Sequence, residues 1–194
     1  MSKLYFRYGA MNSSKSANLL MVAHNYEEQG KKVIIFKPSL DTRSGESLVK
    51  SRVGIEHICK DICKDFNFYE YMKDAQDIDC VLVDESQFCT KEQIKQLTQV
   101  ADKLNIPVLC YGLKNTYIDG ELFEGSAALL YYADSIEEIK TVCQYCNRKA
   151  IMNLYLINGQ PIYQGNKVQI GDVKGEEKYV SVCREHYFNT PKIK

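Results

Sequence analysis

At 194 residues the chain has room for one sizeable core and a small appendage, not for two complete domains. Apolar residues make up 45% and charged residues 26%, ordinary globular usage, and no apolar run approaches the ~20 residues that a bilayer-spanning helix needs. Lys plus Arg and Asp plus Glu each total 25, so zero formal charge excludes a global field that would hold a nucleic-acid backbone.

The opening MSKLYFRYGA lacks the apolar h-region of a secretory signal, so a cytoplasmic, reducing location is expected. There, the eight cysteines point to metal wherever they cluster, rather than to disulfides. Leu4 to Tyr8 alternates like a strand. Ser16 to Gln29 spaces Leu19, Leu20, Val22 and Ala23 at near-helical intervals before Gly30, and Lys31 to Pro38 is a short β-branched run. Strand, loop, helix, strand is the order of a βαβ unit. The runs Cys80 to Glu85 and Ile106 to Leu113 flank a helical pattern from Lys91 to Leu104, which makes the core α/β with a mostly parallel sheet. Between them, Asp41 to Asp79 is polar, with helical signals only near Ile55 to Met72. After about Lys140 the texture changes to cysteine pairs, a turn at INGQP and a polar segment, which reads as a small loop-rich module ending in a polar tail, NTPKIK.

Three constellations carry chemistry. GAMNSSKS, Gly9 to Ser16, matches the phosphate-loop pattern GxxxxGK[ST] at Gly9, Lys15 and Ser16, with Ser14 in place of the second glycine. Such a loop wraps phosphates in backbone N–H groups, reaches them with its lysine and ligates Mg²⁺ with its hydroxyl. An ordinary strand–helix turn with a chance Lys-Ser would read the same, and Ser14 costs about 1 kcal/mol if its position demands positive φ. DCVLVDESQF is a buried-type strand ending in Asp84, the place of a metal-holding carboxylate. Glu85 beside it is either a general base or a solvated or helix-capping acid. Cys143-x₂-Cys146 and Cys183-x₂-His186 have the spacing of a closed tetrahedral Cys₃His zinc site, structural because no coordination position stays open. Cys59, Cys63, Cys80, Cys89 and Cys110 lack such partners and read as interior hydrophobes or spectators, and His24 and His57 as packing or surface groups.

YGAMNSSKS, KPSLDTR, VDESQF, YGLKNTY and CQYCNRK…YVSVCREH, in this order and spacing, resemble the cytosolic-type (type II) thymidine kinase family across nearly the whole chain. The resemblance implies a RecA-like P-loop domain over 1–140 and a small zinc-binding domain with a nucleoside-binding lasso over 141–194. It also implies phosphorylation of the thymidine 5′-hydroxyl by ATP with Mg²⁺, a homotetramer, and feedback by dTTP. Carried over by position, Gly9, Ala10, Met11, Asn12, Ser13, Ser14, Lys15 and Ser16 form the phosphate loop, with Arg43 also on phosphates and Ser16 and Asp84 on Mg²⁺. Glu85 is the matching catalytic base. Met11, Gln87, Phe88, Leu113, Phe123 and Tyr179 match residues around the nucleoside, with backbone groups of Val168, Ile170 and Gly171 on the base edge. The chain departs from the family at Ser14, at Asn153, where some members have threonine, and by one extra residue between Leu113 and Phe123.

Two other readings use the same residues. A P-loop ATPase could grip a partner or DNA through its zinc module, although the neutral charge and few basic runs near Cys143 to His186 weigh against nucleic acid. A catalytically silent nucleotide-binding scaffold would account for Ser14.

Overall fold

The computed structural model describes residues 1–39, 46–165 and 177–191; Arg43, Val168, Ile170 and Gly171 lie outside the described residues. The first βαβ unit is β1 (Leu4–Tyr8), α1 (Lys15–Glu27) and β2 (Val33–Pro38). There follow β3 (Glu46–Lys50), β4 (Glu56–Ile62), α2 (Phe68–Asp74), β5 (Cys80–Val83), α3 (Lys91–Lys103), β6 (Val108–Gly112), α4 (Glu124–Tyr132) and β7 (Ser135–Glu138). Seven strands form one sheet in the order β3-β4-β2-β5-β6-β1-β7, parallel throughout except for the β3–β4 pair.

A parallel sheet covered on both faces needs strands that are apolar at successive positions. β5 and β6 are buried at every residue. Val81, Val83, Val108 and Cys110 meet Ile94, Leu97, Val100 and Leu129 on the α2–α4 side. Leu82, Leu109 and Tyr111 meet Leu19, Leu20 and Ala23 of α1 on the other. Adjacent residues of one strand therefore feed two separate cores.

The segment with weak helical signals, Ile55 to Met72, is strand in its first part and helix only in its last. Glu56–Ile62 forms β4, paired with β3 on one side and β2 on the other, and only Phe68–Asp74 is helical. Hydrogen bonding on both edges outweighs a modest local helical preference. The helix begins where Asn67 accepts a hydrogen bond from the Glu70 N–H. Helix α3 begins with a reciprocal capping box between Thr90 and Gln93, and the Gln93 amide also donates to the Cys63 and Phe66 carbonyls, tying α3 to the loop before α2.

Beyond β7, strands β8 (Met152–Ile157), β9 (Gln160–Ile162) and β10 (Glu177–Val182) form an antiparallel sheet ordered β10-β8-β9, followed by α5 (Arg184–Phe188). Leu154, Leu156, Val180, Val182 and Tyr187 make its core together with Cys143 and Cys183. The part expected to be loop-rich thus also carries a three-stranded sheet among its described residues. No helix among the described residues is long and apolar enough to cross a membrane.

Helix α4 seats the turn that follows β5. A Cβ on Gly125 would lie 2.4 Å from the Ser86 carbonyl oxygen and 2.7 Å from that of Cys89, so α4 touches the Ser86–Phe88 3₁₀ turn backbone to backbone. Gly125→Ala is expected to force that turn outward and lower stability by about 1 to 3 kcal/mol. A denaturant midpoint equal to that of the parent protein would show that α4 does not seat the turn.

Candidate active site

The loop between β1 and α1 closes tightly on itself. A Cβ on Gly9 would lie 2.3 Å from Ser13 Oγ and 2.5 Å from the Ile139 carbonyl oxygen, so only glycine fits there. Asn12 and Ser14 take left-handed φ values of 60° and 61°. Left-handed residues within a turn are the backbone pattern of an anion-binding nest. Ser14 makes no side-chain cap to α1, so no capping side chain occupies the first N–H groups of that helix.

Lys15 is buried, its ammonium donating to the Ala10 carbonyl at 2.8 Å and to Ser13 Oγ at 3.4 Å. Burial lowers its pKa, against the pull of Glu85 and Asp84. Ser16 Oγ donates to Asp84 at 3.0 Å (Oδ2) and 3.3 Å (Oδ1). Burial, reinforced by the negative charge of Glu85, pushes the Asp84 carboxyl up to about 6, while the Ser16 hydroxyl opposes the shift. Glu85 sits at φ 49°, and its Oε2 accepts from Gln87 Nε2 at 2.5 Å; Gln87 Oε1 in turn accepts from the Leu113 N–H at 3.0 Å. Helix α3 is capped by Thr90, not by Glu85. Among the described residues, Ser14 and Glu85 are the only ones other than Gly, Asn and Asp at positive φ.

Both line a cavity of about 290 Å³ with Met11, Asn12, Ser13, Lys15, Ser16 and Leu113. Its remaining wall was not anticipated: Lys50, Ser51, Arg52 and Val53, the tip of the β3–β4 hairpin. The period-two sequences ESLVK and EHICKDI around Gly54 were the available signal. Asp84 is not among the lining residues; it is 4% exposed and is reached through Ser16, which is.

The other expected nucleoside residues fall into two groups. Phe88 and Phe123 meet edge to face, with centroids 5.5 Å apart, beside Gln87 and Leu113. Tyr179 is on β10, stacked on Tyr155 at 4.5 Å and within 6.1 Å of Tyr117. Of the side chains read as spectators, Cys59, Cys80, Cys89 and Cys110 are buried and Cys63 exposed, while His57 pairs with Glu27 at 2.8 Å.

Cys143, Cys146, Cys183 and His186 place their donor atoms within 4.8 Å of one another. A tetrahedral shell with Zn–S near 2.3 Å and Zn–N near 2.1 Å has S···S edges of about 3.8 Å and S···N edges of about 3.6 Å. Cys146 and Cys183 sulfurs are 3.8 Å apart, and His186 Nδ1 is 3.4 Å from Cys143 and 3.5 Å from Cys183. The donor set and its spacing fit a structural zinc ion.

The mostly parallel sheet, with its strand–loop–helix opening, and the separate Cys₃His cluster define an α/β protein of the P-loop type carrying a small module able to hold zinc. A family model described as thymidine kinase matches residues 2–187. A protein named thymidine kinase from Lactiplantibacillus plantarum is 51% identical over 194 residues, covering 100% of this chain and 99% of that protein. Proteins of the same name from Streptococcus pyogenes and Streptococcus agalactiae are 49% and 48% identical over 190 residues, covering 97% of this chain and 98% of each. The chain belongs to the thymidine kinase family.

The raised pKa of Asp84 has a defined sign. Folding holds a proton that the unfolded carboxyl, at 3.8, would release, so between pH 3.8 and about 6 the contribution of Asp84 to stability falls as pH rises. Above that window the full cost of a buried carboxylate is present. Asp84→Asn is therefore expected to raise unfolding free energy by about 1 to 3 kcal/mol near pH 8 and by much less near pH 4. Urea midpoints at both pH values test this; an equal gain at both would contradict it.

Proposed function

We propose that the protein phosphorylates the thymidine 5′-hydroxyl at the expense of ATP, giving dTMP and ADP. The observation that carries this is the Ser16–Asp84 hydrogen bond at the base of a loop cavity that Glu85 also lines. Gly9 to Ser16 would hold the donor phosphates through backbone N–H groups and Lys15, with Arg43 on the same phosphates. Ser16 and Asp84 would hold Mg²⁺, which supplies charge neutralisation on the phosphate oxygens. The nucleoside would lie against Met11, Gln87, Phe88, Leu113, Phe123 and Tyr179, with Val168, Ile170 and Gly171 on the base edge.

The thymidine 5′-oxygen attacks the γ-phosphorus, the bond to the ADP oxygen breaks, and Glu85 takes the hydroxyl proton. Gln87 supports this role by fixing the carboxylate of Glu85 through Oε2. In this reading residues 1–140 are the P-loop domain and 141–194 a zinc domain whose metal stays outside the reaction. As the family resemblance implies, the protein in this reading is a homotetrameric cytoplasmic enzyme of nucleoside salvage for DNA synthesis, under feedback by dTTP.

Thymidine-dependent release of ADP tests the activity, and ADP release indifferent to thymidine would point instead to an ATPase. Glu85→Gln keeps the side chain's size and removes its basicity, so kcat should fall by roughly 10² to 10⁴ with little change in either substrate's dissociation constant. A near-parental kcat would remove Glu85 as the base. For the metal, Cys183→Ser is expected to lose bound zinc and weaken thymidine binding. Full zinc content with unchanged thymidine affinity would overturn the assignment of that cluster.

A further inference from the structure

Asn153 on β8 and Ser181 on β10 are direct cross-strand partners. The alternate residues Leu154, Leu156, Val180 and Val182 face the module's own core. On the opposite face stand Asn153, Tyr155, Tyr179 and Ser181, since side chains alternate along a strand. Asn153 and Ser181 are only 2% and 6% exposed, so their polar atoms need partners.

Both find them on one residue of the phosphate loop. Asn153 Oδ1 accepts from the Met11 N–H at 2.8 Å, and Ser181 Oγ donates to the Met11 carbonyl. The remaining Asn153 amide donates to the Asn115 carbonyl at 3.0 Å, two residues after Leu113. On its other side, β10 is tied to the metal-ligand cluster: the Ser181 carbonyl accepts from the Gln144 N–H, between Cys143 and Cys146, at 2.9 Å. Met11 directly precedes Asn12, where the loop turns left-handed.

We propose that Asn153 and Ser181 are positioning residues that clamp both backbone groups of Met11, holding the phosphate loop in its working shape and making donor binding depend on the small module. This rests on the reading of Gly9 to Ser16 as the donor-phosphate site. The clamp fixes the loop just before its two left-handed residues, whose conformations would otherwise relax. It also carries the placement of β10, and with it Tyr179, directly to the loop.

The test uses the zinc-loaded full chain and compares Asn153→Ala, Ser181→Ala and the double variant for ATP affinity, kcat, zinc content and thermal midpoint. Each single variant should weaken ATP binding about 2- to 10-fold, the worth of one backbone hydrogen bond. The double variant should lose less than the product of the two, because both act on Met11. Ser181→Thr, which keeps the hydroxyl, should restore affinity. Ser181→Ala removes a single oxygen and keeps the test decisive should Asn153→Ala fail to fold. Unchanged ATP affinity, or a loss that only tracks lost zinc or a lowered midpoint, would overturn the proposal. Lys15→Ala separates the layers: if it abolishes turnover while the clamp variants behave normally, the clamp alone is wrong. If Lys15→Ala leaves ATP affinity and turnover intact, the loop is not the donor site and both readings fall.

Discussion

The hydrogen bond from Ser16 to Asp84 joins two residues 68 positions apart, and the arrangement of the site depends on it. It can form because β1 and β5 lie on either side of β6 and run parallel, which brings the segments after their carboxyl ends to one edge of the sheet. The apolar character of β5 and β6 is what buries those strands between two helix layers. The same burial desolvates Asp84, whose raised pKa is the cost of holding a carboxylate there. A buried acid with a raised pKa, joined to a cavity by a hydroxyl, is the kind of perturbed group that clusters at functional sites.

Backbone strain is concentrated around the same cavity. Left-handed Ser14 and Glu85 each cost about 1 to 3 kcal/mol unless their surroundings impose the conformation. Those surroundings are visible. Gly9 lets the loop close on Ser13, Gly125 lets α4 press on the turn after Glu85, and Gln87 links Glu85 to the Leu113 N–H. The contacts come from elements distant in sequence, so the strained geometry is held by the whole fold and not by the loop itself.

The small module supplies a different kind of rigidity. Its core is a handful of apolar side chains around two cysteines, too little to order a three-stranded sheet comfortably without a cross-link. Four donors at tetrahedral spacing fit a metal as that cross-link. Its sheet turns one face to this core and the other, through Asn153 and Ser181, to the loop.

Much of this was legible in the residues. The unbroken apolar runs at Cys80–Val83 and Val108–Gly112 dictate buried parallel strands, because sheet faces covered by helices tolerate nothing else. The Cys-x₂-Cys and Cys-x₂-His spacings announce a metal cluster, because ligand knuckles are local in sequence. The hairpin at Glu46–Ile62 was hidden, since its strands are stabilised by pairing with β2 and packing on α1, and alternation among polar residues carries little signal. The cavity wall at Lys50–Val53 and the clamp on Met11 were hidden too, although a polar residue inside each of the apolar strands MNLYLI and YVSV marked the clamp's two positions. By itself the sequence determined the four middle strands β2, β5, β6 and β1 with helices α1 and α3, which residues have the chemistry, and which family the motifs resemble, since periodicity, residue type and spacing are local. Tertiary structure alone decided that Ser16, which the motifs paired with Asp84 only through a shared metal, hydrogen-bonds to it directly, that Ser14 and Glu85 are left-handed, and that the small module grips Met11. Those contacts arise from strand order and chain crossings, which no local stretch of residues encodes.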